Sequence, residues 1–72
     1  MDTLFAATEI PLPAVSIDDQ ITCVAREIGM RELVYQRRVL NHQMTQKTAD
    51  RELHHMRAVL KTLQTLKENG SA

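Results

Sequence analysis

A chain of 72 residues with nine acidic and nine basic side chains has a formal net charge of zero, so it lacks the basic excess of a dedicated nucleic-acid or anionic-membrane binder. Its one cysteine, Cys23, excludes an intrachain disulfide framework, and no stretch approaches the roughly 20 apolar residues that span a bilayer. A single domain this short buries little surface, which makes self-association the expected source of stability.

Residues 1–15 read as an extended or flexible N-terminal arm. Pro11 and Pro13 forbid a regular helix and hold the residues before them extended. Leu4, Phe5, Ile10, Leu12 and Val15 either dock on a helical face or stay with a free chain end. The brief cluster from Leu4 to Ala7 has no basic flank and is too short for an export leader. The expected location is cytoplasmic.

A first helix is predicted over 16–41. Ser16 is its N-cap, Asp18 and Asp19 face the positive end of the helix dipole, and Arg37 and Arg38 face the negative end. Ile17, Ile21, Val24, Ile28, Tyr35 and Val39 recur at helical spacing and predict the stripe that meets a second helix. Arg31 and Glu32 flank that stripe, their stems lying along it, and Glu27 with Arg31 forms an i,i+4 pair. A further apolar set, Cys23, Met30, Leu33, Val34 and Leu40, falls on nearly the opposite face, interspersed with Arg26 and Arg37. One partner helix cannot cover both faces, so this set predicts an intersubunit contact or the dock of the arm.

Residues 42–44 form the connector, and a second helix is predicted over 45–68 with Thr45 as N-cap and Met44 stapled against Ala49. Ala49, Leu53, Met56, Leu60 and Leu63 alternate four and three, a short coiled-coil-like register that Val59 and Leu66 widen on one side. Asn69 and Gly70 read as the stop, leaving 69–72 as a flexible C-terminus. Reflection about a turn near Gln43 places residues whose numbers total about 86 side by side. Tyr35 then faces Ala49 and Leu53, and Ile28 faces Met56 and Leu60.

Cys23, His42, His54 and His55 are the soft metal-ligand candidates. His54 and His55 point about 100° apart on a helix, and Cys23 lies about 12 Å away along the axis, so they do not converge and no metal or cofactor is expected. Glu27, Glu32, Glu52 and the histidines are the only candidates for acid/base work, and a two-helix surface offers them no dry pocket, so enzymatic activity is not expected. Met56 and Met44 belong to the packing pattern rather than to an adaptable methionine surface. A basic run of Lys47, Arg51, His54, Arg57 and Lys61 is assigned to the outer face of helix 2, with Asp50 and Glu68 on the same side. Lys47, Arg51 and Lys61 are the residues of that run that would reach phosphates.

The segments Arg26 to Tyr35, Ala49 to Met56 and Ala58 to Leu60 carry a resemblance. Over about residues 21–63 the chain resembles a group of short phage- and prophage-associated bacterial proteins of unassigned function. Their shared pattern is an arginine-glutamate helix, a methionine-arginine step, a tyrosine, a tight turn, and a second helix with alanine-aspartate-arginine-glutamate before a methionine. This chain departs from it at Gln36, where a proline often follows the tyrosine, at Arg38, where an aromatic is common, and at Asn41 and His42, where a glycine usually turns the chain. Asn41 or His42 must then take a left-handed backbone. The resemblance implies a hairpin fold and a genomic origin, and no activity.

The sequence therefore predicts an all-α antiparallel two-helix hairpin with an N-terminal arm, dimerising into a four-helix bundle. Its expected role is a non-catalytic protein-interaction or assembly module that self-associates and has no membrane attachment. Met30, Leu33, Val34, Val59 and Leu66 are the predicted intersubunit residues. An unidentified protein partner and a nucleic-acid-associated accessory or regulatory role are the alternatives.

Overall fold

The computed structural model describes residues 12–70, with two helices in the order α1 (Ile17–Leu40) and α2 (Gln46–Gly70). The helices pack on one another as the expected all-α hairpin. Leu12 and Val15 are exposed, so neither docks on a helix. Docking of Leu4, Phe5 and Ile10 lies outside the described residues.

The starts of both helices follow from single hydroxyl groups. Ser16 has an extended backbone, and its Oγ accepts from the Asp19 amide at 3.0 Å. Gln20 reaches back to donate to the Val15 carbonyl at 3.0 Å, which fixes how the chain enters α1. Thr45 Oγ1 accepts from the Thr48 amide at 3.1 Å, giving α2 the equivalent cap. Each hydroxyl satisfies an amide that has no carbonyl partner in the first turn.

The turn is a Schellman closure without glycine. Asn41 is the C-cap, and the Gln43 amide donates to the Arg38 carbonyl at 2.8 Å while His42 donates to Val39 at 3.1 Å. Of the two residues the sequence offers for the left-handed position, His42 takes it, at φ 62°. At the far end α2 runs through Asn69 to Gly70, two residues past the expected limit. Gly70 has no positive φ, so it extends the helix instead of capping it.

The packed seam contains the predicted stripes. Ile17, Ile21, Val24, Tyr35 and Val39 from α1 and Leu53, Met56, Leu60 and Leu63 from α2 are all half-buried. Only Ile28, 7% exposed, and Ala49, 2% exposed, are buried among the described residues. Tyr35, Ala49 and Leu53 line one groove, so the small residue sits where the only tyrosine needs space. Two cross-helix ion pairs fix the register, since Asp18 with Lys67 and Glu32 with Arg57 have numbers that total 85 and 89.

Candidate functional site

The hairpin has two broad sides, and the ion pairs tell them apart. Arg57 Nη2 donates to Glu32 Oε2 at 2.5 Å, and Lys67 Nζ lies 2.5 Å from Asp18. Arg57 was assigned to the outer face of α2. It lies instead on the flank of the seam, 100° from Met56 on the helical wheel, and its long stem carries the guanidinium across to α1. Gln46, which donates to Asp50 at 2.9 Å, continues the polar character of this side toward the turn.

The other side follows from helical spacing. On α1 it carries Cys23, Glu27, Met30, Arg31 and Val34, and on α2 Glu52, His55, Val59, Thr62 and Leu66, which step by three or four along the flank away from Glu32 and Arg57. Its large apolar residues are open to solvent, with Met30 at 55%, Val34 at 36%, Val59 at 48% and Leu66 at 56% exposure. Cys23 is exposed beside them. Four of the five predicted intersubunit residues thus share one side.

Leu33 does not. It is 100° from Val34 on the wheel and lies with Leu40 on the Glu32 flank of α1, where both are exposed and Leu40 borders the groove that Glu32 and Gln46 line. The sequence reading joined these leucines to Val34 because a broad opposite face was drawn without reference to α2. A sharper signal was present: the reflected register already put Glu32 and Asp18 near basic residues of α2, which identifies the charged flank and leaves the other flank apolar.

Within the apolar side, Arg31 Nε donates to Glu27 Oε2 at 2.9 Å, and Arg31 Nη1 reaches Tyr35 Oη at 3.5 Å. The hydrogen bond to Glu27, then the charge and hydrogen bond of Tyr35, raise the Arg31 pKa. A raised basic pKa contributes stability below the unfolded value and loses it only as pH climbs through the folded one. For a guanidinium that window lies above any working pH, so Arg31 stays charged where the protein is handled.

No buried side chain among the described residues is polar or charged, and the concavities are open grooves between or beside the helices, as at the turn around Val39, His42 and Met44. The rings of His54 and His55 are 6.3 Å apart and tilted by 46°. No three His, Cys, Asp or Glu side chains among the described residues are placed to hold a metal ion. Lys47, Arg51 and Lys61 are exposed on α2, with Arg51 Nε 4.0 Å from Glu52. No helix of the described residues is long and apolar enough to cross a membrane.

Comparison with known proteins returns no matching family model, no similar curated protein and no similar solved structure.

Proposed function

We propose that this chain is a non-catalytic, self-associating interaction or assembly module whose working unit is a homodimeric four-helix bundle. One observation carries the reading: the hairpin buries only Ile28 and Ala49 while Met30, Val34, Val59 and Leu66 stay exposed on a common side. A protein with that little core gains most by covering that side. Zero net charge means that identical copies do not repel one another at long range. A cytoplasmic location belongs to the same reading, and origin among phage- and prophage-associated proteins rests on the resemblance of residues 21–63 alone.

Absolute mass by light scattering, on untagged protein across a hundredfold concentration range, tests this. A dimer is expected. A well-folded monomer throughout the range would overturn it and leave the apolar side to a different protein.

Phosphate contact through Lys47, Arg51 and Lys61 is the second reading, favoured by their exposure on α2. It predicts binding to duplex DNA or RNA that weakens steeply with salt. Diversion of Arg57 to Glu32 removes one cation from that run and ranks it below self-association.

A further inference from the structure

The apolar side is organised in two rungs. With residues paired where their numbers total between 85 and 89, Cys23 lies level with Leu66 and Met30 with Val59, each within about 3 to 5 Å along the axis at 1.5 Å per residue. Cys23 and Met30 are one heptad apart on α1, and so are Val59 and Leu66 on α2. The rungs therefore repeat in step on both helices, about 10 Å apart. The ion pair of Glu27 and Arg31 flanks the Met30 rung, and nearer the turn the same side carries Val34 and Arg38 on α1 and Glu52 on α2.

Resting on the self-association proposed above, we propose that the occupant of this side is a second copy of the chain, packed with both turns at the same end so that α1 of each copy lies over α2 of the other. A two-fold axis parallel to the helices then stacks Cys23 on Leu66 and Met30 on Val59 of the second copy, twice over. It also sets Arg38 near the level of Glu52 of the second copy, while Arg31 keeps its pair with Glu27, so charges of opposite sign meet on the turn side of the rungs. All neighbouring helices run antiparallel, as up-down bundles require. Inverting one copy, with turns at opposite ends, overlays the rungs but leaves Glu52 beyond the Gly70 end of the opposing α2 and Arg38 beyond the start of the opposing α1. Charge complementarity selects the first arrangement. Helices of about 36 Å set about 10 Å apart present a footprint near 700 Å². That is close to the roughly 800 Å² per partner of a standard stable interface.

The orientation is read by pulsed dipolar spectroscopy between nitroxides placed at Gln43→Cys in a Cys23→Ala background, with mass measured on the same sample. A dimer with a label separation below about 25 Å is expected, since the turns then sit side by side across two helix diameters. A dimer with a separation near 50 Å, twice the axial distance from the turn to the middle of the rungs, would overturn the orientation while leaving self-association standing. A monomer without dipolar coupling, if the unlabelled wild type is also a monomer, would overturn both.

Discussion

The charged and apolar sides of the hairpin are made from the same two helices, related by little more than one residue step around each. On the charged side, Glu32 and Arg57, and Asp18 and Lys67, reach across the seam. On the apolar side, Val34, Met30, Val59 and Leu66 are left in water. Exposed ion pairs hold register at little gain in stability, whereas exposed aliphatic groups represent unrealised burial at about 25 cal/mol per Å². The difference indicates which side is finished in the monomer and which side awaits a partner.

The sharpest break between seam and sides comes from Ile28. Replacing it with Ala removes one of only two buried residues among those described and should cost about 2 to 4 kcal/mol in urea unfolding at fixed protein concentration. The comparison between the sides is tested by two double variants. Val34→Asp with Leu66→Asp places carboxylates on the apolar side and should raise the dimer dissociation constant at least about 100-fold, or about 3 kcal/mol. Leu33→Asp with Leu40→Asp, on the Glu32 flank of α1, should change it less than about threefold. Equal effects of the two pairs in sedimentation equilibrium would erase the distinction between the faces.

Backbone changes outside both sides should act in the opposite direction. His42→Gly relieves the left-handed conformation at φ 62° and should stabilise by about 1 kcal/mol, net of the extra freedom of glycine in the unfolded chain. Gly29 lies inside α1, and a methyl group there would meet nothing within 4 Å. Gly29→Ala should therefore add about 0.5 to 1 kcal/mol in thermal unfolding. The smallest effect belongs to the charged side. Glu32→Gln breaks the pair with Arg57, whose side chains are 48% and 53% exposed, and should cost less than about 0.5 kcal/mol, vanishing at high salt.

The seam was legible in the sequence because burial between two helices is written in spacing alone. The residues at the centre of the two stripes, from Ile17 to Leu63, are at least half-buried, while Val59, which widens the second stripe, is exposed. Both caps were legible because Ser16 and Thr45 precede helical periodicity at its first residue. The faces beyond the seam were less so. Whether Leu33 shares a side with Val34 depends on rotation relative to α2, and that is fixed only when a cross-helix contact such as Glu32 to Arg57 is known. The end of α2 was misplaced because Gly70 was read as a cap, and glycine continues a helix when nothing demands a positive φ.

The central claim is that a second copy covers the apolar side and shares in the stability of the hairpin. Thermal unfolding followed by circular dichroism over a hundredfold range of protein concentration addresses it most directly. The midpoint should rise with concentration, as mass action requires when the folded state is a dimer. A cooperative transition whose midpoint does not move, in a protein of monomeric mass, would contradict the account.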